Sequence, residues 1–193
     1  EKVVCQDGTT LPADIVIVGV GVSSNVNLAE AAGLEINHGI VVNQYTQTSN
    51  ADIYAAGDCT VHPSQIYQRS IGLESVQNAN DQARCAAANI CGKQVIYDAV
   101  PWFWSDQFKT KLQMTGLSND ADEIVLRGDS ALENESGFAV FYLKEGVVIA
   151  ADCVGRAKEF MLSKRLVKDK IRIPASVLAD ESVETSALMD SAI

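Results

Sequence analysis

Thr48-Ser-Asn-Ala-Asp-Ile53-Tyr-Ala-Ala-Gly57-Asp58 is the stretch whose reading decides the fold. Ile53 to Ala56 is a short apolar run without charge, the pattern of a strand buried on both faces, and it ends in small residues followed by one carboxylate. Such a strand delivers its last side chain to the carboxyl edge of a parallel sheet, where open α/β folds bind ligands, and Asp58 is expected there. Ala55, Ala56 and Gly57 leave room for a ligand's backbone to pass close, and an Asp carboxylate is an acceptor suited to polyol or ribose hydroxyls. The alternative is a buried strand that ends in an ordinary turn aspartate.

Upstream, Ala13-Asp-Ile-Val-Ile-Val-Gly19-Val-Gly21 reads as a second buried strand, Ile15 to Val18, running into two glycines. The pattern is GxGxxS, because Ser24 stands where the third glycine would allow close helix packing, and no acidic residue follows at the end of a next strand. A complete dinucleotide fingerprint is therefore not supported. A sharp structural turn is the simpler reading, with Gly19 and Gly21 also candidates to lie against a nucleotide. Before this stretch, Asp7-Gly8 between Val3–Cys5 and Thr9–Leu11 reads as a small hairpin. After it, Asn25 or a neighbour caps a short helix through Ala32 that Gly33 stops, and Leu34–Ile36 and Gly39–Val42 read as extended.

Downstream of Asp58, His62 to Arg69 reads as a polar loop. A long helix is expected from Glu74 or Ser75 to Ile90, its apolar stripe Val76, Ala79, Ala83, Ala86, Ala87 and Ile90, with Asn78, Asp81 and Arg84 largely on the other side and Gly92 just past its end. The first turn of that helix presents unpaired N–H groups and a positive dipole end close after Asp58, in position to face the same ligand. Val76 has no polar side-chain atom, so any polar contribution from it is its backbone N–H.

Composition changes after Tyr97. Pro101-Trp-Phe-Trp-Ser-Asp-Gln107 is followed by short alternating runs at Lys111–Thr115, Glu123–Arg127, Phe138–Lys144 and Val147–Ala151, an antiparallel sheet with a helix after it. Beyond Gly155, Arg156, Lys158, Lys164, Arg165, Lys168, Lys170 and Arg172 form a basic stretch on a helix with Phe160, Met161, Leu162, Leu166 and Val167 as its apolar face. That stretch reads as a solvated helix face or as a dock for an acidic protein. Pro174 is expected to end the helix, and the acidic tail from Ala179 to be loosely held. Trp102 reads as a core anchor, whereas Trp104, beside Ser-Asp-Gln, is a candidate to stack on a flat cofactor.

The chain's 193 residues allow one or two domains with a real core. It starts at Glu1 with no signal-like segment and no run able to cross a bilayer, which reads as a soluble protein or an excised piece of one. A net charge of -10 opposes binding to nucleic acid or to anionic membranes. Five cysteines, an odd number without CxxC, point to reduced cytoplasmic thiols rather than disulfides or zinc. His38 and His62 have no nucleophile beside them in a suitable motif and read as loop histidines.

The string Thr, four residues, an apolar residue, Tyr-Ala-x-Gly-Asp resembles the second flavin signature of two-dinucleotide flavoprotein reductases. Together with Ala13–Gly21, Leu73-Glu-Ser-Val-Gln-Asn-Ala-Asn-Asp-Gln-Ala83 and Pro101–Gln107, it makes nearly the whole chain similar to the back half of the NADH-dependent ferredoxin reductases that serve bacterial oxygenases. The resemblance implies an α/β fold, an incomplete two-dinucleotide FAD/NAD fold, followed by an α+β C-terminal interface domain. Residues 1–97 would be the end of the NADH domain and the returning part of the FAD domain, and residues 98–193 the interface domain.

It also implies Asp58 as ribityl ligand beside Gly57, the Val76 backbone on the flavin ring, Glu74 and Ser75 nearby, and Trp104 next to the isoalloxazine. Arg84, Lys164, Arg165 and Lys168 become the candidate surface for a ferredoxin-type iron–sulfur protein. The implied activity is FAD-dependent electron transfer from NADH to that protein, with this stretch inactive alone. Gly72 stands where relatives commonly have Arg, and Ser24 where Pro is common. A disulfide reductase would usually place a catalytic histidine in its last domain, and none follows His62. An apoptosis-inducing-factor-like flavoprotein shares the Phe-Trp-Ser-Asp string, and a cofactor-free interaction module is the alternative from another class.

Overall fold

In the computed structural model of the chain, which describes residues 1–131 and 136–193, the Asp7-Gly8 turn forms as its sequence dictates. Gly8 takes φ +85° and Asp7 Oδ1 accepts from the Thr9 N–H at 2.9 Å. The turn joins β1 (Lys2–Val4) to β2 (Thr10–Pro12), antiparallel with Val3 opposite Leu11. Ile15 to Val18 does not form the expected buried strand. Ile15 is 82% and Ile17 92% exposed, and among the described residues no strand pairs with this segment. A run with strand composition becomes a strand only where neighbours take its backbone hydrogen bonds. The short helix α1 (Asn27–Ala31) follows, capped by the Val26 position without any side-chain acceptor, so Asn25 is not its cap; Gly33, at φ +69°, ends it.

A three-stranded sheet comes next. β3 (Ile40–Val41) runs parallel to β4 (Thr60–Ser64), and β4 pairs antiparallel with β5 (Arg69–Gly72), His62 opposite Ile71. Residues 62–69 are thus mostly a hairpin rather than a loop, and His62, 3% exposed, is a buried strand residue. Ile53 to Ala56 forms no full strand: Tyr54 makes one antiparallel bridge to Gln47, and the four residues are half-buried. Asp58 consequently lies in the turn leading into β4, not at the carboxyl edge of a parallel strand.

Helix α2 (Val76–Ile90) has the expected length and stop, with Cys91 as C-cap and Gly92 at φ +80°. Its buried face is not the expected one. Gln77, Asn78, Gln82, Cys85 and Ala86 are buried, while Val76 and Ile90 are 56% and 65% exposed. Alanine contributes little apolar area, so an Ala-rich face carries weak burial drive, and hydrogen-bonded amides occupy the interior side instead.

The second half is an antiparallel sheet in the order β6-β7-β10-β9-β8, from β6 (Trp102–Gln107), β7 (Thr110–Gly116), β8 (Glu123–Gly128), β9 (Phe138–Lys144) and β10 (Val147–Val154). Alternation in β9 turns Ala139, Phe141 and Leu143 to the core. Helix α3 (Ala157–Lys168) covers them with Phe160, Leu166 and Val167. Asp169 caps α3 at its end, so Pro174 begins α4 (Ala175–Ala179) rather than stopping α3. The acidic tail is firmly docked: Leu178 and Leu188 are fully buried, and a 3-10 helix spans Thr185–Ser191. Its anchor is Arg127, 3% exposed, which donates to the carbonyls of Leu178, Asp180 and Val183 and pairs with Glu159 at 3.4 Å.

Candidate functional site

Ser75 caps α2 in extended backbone, its Oγ accepting from the Asn78 N–H at 3.1 Å. Helix geometry leaves the neighbouring Val76 and Gln77 N–H groups pointing out of the end, where the dipole is positive. Glu74 and Ser75 there help line a cavity of about 220 Å³ with Pro101, Trp102, Phe103 and Met114. The helix start and the aromatic strand β6 therefore meet, although Trp104 itself lies outside that lining.

The Asp58 turn is fastened to the same helix. A Cβ placed on Gly57 would stand 3.7 Å from Ala79 Cβ, and Gly57 takes φ +90°, which suits glycine. The Gly57 N–H donates to Gln82 Oε1 at 2.7 Å, and Thr60 Oγ1 lies 2.8 Å from that oxygen. Gln82 Nε2 is 3.1 Å from His62 Nδ1; the His62 ring meets Tyr97 edge-on at 4.9 Å; and the Tyr97 hydroxyl donates to Asn78 Oδ1 at 2.7 Å. Asn78 Nδ2 donates to the Leu73 carbonyl at 2.9 Å. One buried polar chain thus runs from the turn beside Asp58 to the cap of α2. Burial pushes the His62 pKa down to about 4 despite the opposing charge of Asp98, and pushes the Tyr97 hydroxyl up.

Asp58 and Glu74 are exposed, Ser75 half-buried, and Val76 exposed at the helix end. Trp104, 36% exposed, lies 5.5 Å from Trp102 and 6.2 Å from Phe103, ring to ring. Ser24 Oγ lies 3.4 Å from the Asp58 carbonyl, while Gly19 and Gly21 sit on the exposed segment with open space where a Cβ would stand. The cations divide. Arg84 pairs with Asp81 at 3.2 Å, and Lys164, over Trp102 at 4.0 Å, feels Asp81 too; Arg165 pairs with Asp169 at 3.5 Å; Lys168 is exposed.

Sequence reasoning passed over Gln82, Asn78, His62, Tyr97 and Asp81 as contributors. The signal was there: Gln77, Asn78 and Gln82 fall on one side of an otherwise Ala-rich helix.

These features have counterparts of known family. Residues 1–83 match the pyridine nucleotide-disulphide oxidoreductase model, and residues 102–189 the reductase C-terminal model. Putidaredoxin reductase CamA of Pseudomonas putida is 46% identical over 190 residues, 98% of this chain and 44% of its own length. The 5,5'-dehydrodivanillate O-demethylase ferredoxin reductase subunit of a Sphingobium strain is 45% identical over 90% of the chain and 42% of its own. A covalent putidaredoxin reductase–putidaredoxin complex superposes with a TM-score of 0.92 at 46% identity, covering 99% of this chain and 45% of that one. The chain spans less than half the length of the relatives it matches. Its fold is accordingly the α/β FAD/NAD fold in part, followed by the reductase C-terminal domain. Residues 1–83 thus carry part of the pyridine nucleotide-disulphide oxidoreductase domain and residues 102–189 the reductase C-terminal domain, in a chain similar over nearly its whole length to the corresponding part of ferredoxin reductases.

Proposed function

We propose that the chain forms part of an NADH-dependent, FAD-containing reductase that passes electrons to a ferredoxin-type iron–sulfur protein. The observation that carries this reading is the attachment of the Gly57-Asp58 turn to the first turns of α2, whose N-terminal end opens on a cavity bordered by β6. The residues fit an extended, partly anionic cofactor. Asp58 accepts from polyol hydroxyls, Gly57 keeps the approach free of a side chain, and the Val76 N–H offers a donor backed by the helix dipole. Glu74 and Ser75 border the ring position, and Trp104 supplies an aromatic face that excludes water. Bound FAD supplies the conversion of one hydride into single electrons.

In this reading residues 1–97 complete the nucleotide-binding part and residues 98–193 form the interface domain, with Arg84, Arg165 and Lys168 the cations most available to an acidic partner. The site of action is the cytoplasm, in keeping with the free state of all five cysteines. Among the described residues no helix is long and apolar enough to cross a membrane.

The test is made on the full-length protein that carries these residues. It should purify yellow and reduce a ferredoxin with NADH, and Asp58→Ala should weaken FAD retention. A colourless protein, or unchanged FAD affinity in the variant, would count against the reading.

A further inference from the structure

We infer that Gln82 is the positioning residue of the flavin site, holding the turn that carries Asp58 in register with the N-terminal end of α2. The inference rests on the flavin reading above and adds a residue that does not itself touch the cofactor.

The hydrogen bonds fix the side chain in one orientation. The Gly57 N–H is a donor and needs an acceptor, so the atom 2.7 Å away is the amide oxygen. That oxygen lies equally close to the Thr60 hydroxyl, 2.8 Å, which is also 2.8 Å from the Gly57 carbonyl. With the oxygen committed to the turn, the amide nitrogen faces His62 Nδ1 at 3.1 Å. An NH₂ group donates, so Nδ1 must accept, and His62 is neutral with its proton on Nε2. Gln82 is wholly buried, Thr60 1% and His62 3% exposed, so water is not at hand to replace either bond.

The same chain of contacts continues through Tyr97 to Asn78, whose backbone N–H is the one taken by the Ser75 cap. Gln82 therefore joins two pieces that are distant in sequence: the acceptor at Asp58 and the donors at the start of α2. Gly57, adjacent to Asp58, is free to rotate in the way only glycine is, and its N–H bond to Gln82 is what sets the direction in which the turn leaves. A residue of similar volume without the amide would fill the space and release the turn.

The test compares three forms of the full-length protein. Relative to wild type, Gln82→Met should lower FAD affinity by about tenfold or more and move the flavin midpoint potential to more negative values, as the helix end loosens from the ring. Gln82→Glu keeps an acceptor for Gly57 and, with His62 taking a proton on Nδ1 to face the carboxylate, should restore most of the affinity. Loss of general stability alone would not produce that rescue or the shift in potential. Should the Met variant fail to fold, nitrogen-15 spectra of wild-type His62 decide: the proton on Nε2 supports the arrangement, and a proton on Nδ1 overturns it. The groups facing His62 are Asp98, Tyr97 and Gln82. Wild-type affinity and potential in Gln82→Met would overturn the role of Gln82 while leaving the flavin reading intact; a wild type without FAD would sink the flavin reading itself.

Discussion

The ammonium of Lys164 lies 4.0 Å from the ring centroid of Trp102 and 4.4 Å from that of Phe160. Its charge is therefore largely engaged within the molecule. Burial lowers its pKa, while the Asp81 carboxylate across on α2 works the other way. Lys164 joins the C-terminal domain to the helix of the candidate site. Lys164→Met, which keeps the stem, should cost about 0.5–1 kcal/mol of stability and alter tryptophan emission. Arg165→Glu and Lys168→Glu should instead leave emission unchanged and weaken the salt-dependent binding of the proposed ferredoxin partner. Equal losses of ferredoxin binding in all three variants would contradict this division.

Arg127 and Glu159 are both buried, and three main-chain carbonyls of the tail depend on the same guanidinium. Removing one member leaves the other charge stranded, so Arg127→Met or Glu159→Leu should each destabilise by roughly 3–5 kcal/mol in urea unfolding. Burial works to raise the Glu159 pKa, but the Thr185 hydroxyl, its own backbone N–H, Arg127 and Arg156 outweigh it and the carboxyl is held low. Its contribution is thus present above about pH 4.5 and disappears as the pH falls below that. A double variant no less stable than either single one would fit the pair acting as a unit.

His62, like Glu159, loses its contribution as acid is added, but because burial keeps the ring neutral rather than because a partner holds a charge. Its folded pKa, about 4, lies below its ordinary 6.5, so the unfolded chain takes up the proton first as acid is added. Stability should be complete above about pH 6.5 and fall by up to about 3 kcal/mol on the way to pH 4. His62→Asn, which keeps an acceptor toward Gln82, should flatten that part of the profile. An unchanged slope would show that His62 is not its source.

Gly116 takes φ +74°, and a Cβ there would collide with the Ile149 carbonyl oxygen and stand 2.9 Å from both Ala150 Cα and the Tyr67 hydroxyl. Tyr67 also receives the Leu117 N–H at 2.8 Å and donates to the Ile149 carbonyl. Gly116→Ala must move strand backbone, so a loss of roughly 2 kcal/mol or more is expected, with disturbed tyrosine signals. Full thermal stability would refute the crowding.

Four strands of the second sheet were legible as alternating runs near turn residues, Phe138 to Lys144 falling on β9, whereas Trp102–Gln107 does not alternate in burial and gave no such signal for β6. The hairpin at Asp7-Gly8 and the stop at Gly92 were legible for the same local reason. Ile15 to Val18 and Ile53 to Ala56 misled because apolar composition does not say whether a partner strand is at hand. The buried face of α2 misled because hydrophobic patterning sets Asn78 opposite the apolar stripe and passes over Gln82, whereas satisfied amides can be interior. Asp58 and the start of α2 stand on neighbouring elements, as their string suggested, yet the residues that join them are visible only in three dimensions.

The anchored tail has a consequence for limited proteolysis. Ile193 donates only its backbone N–H, to the Arg172 carbonyl at 3.0 Å, and its side chain is open to solvent. An endoprotease should cut poorly between Leu178 and Leu188, because seating a bond of that stretch in its active site would require the strap to peel from Arg127.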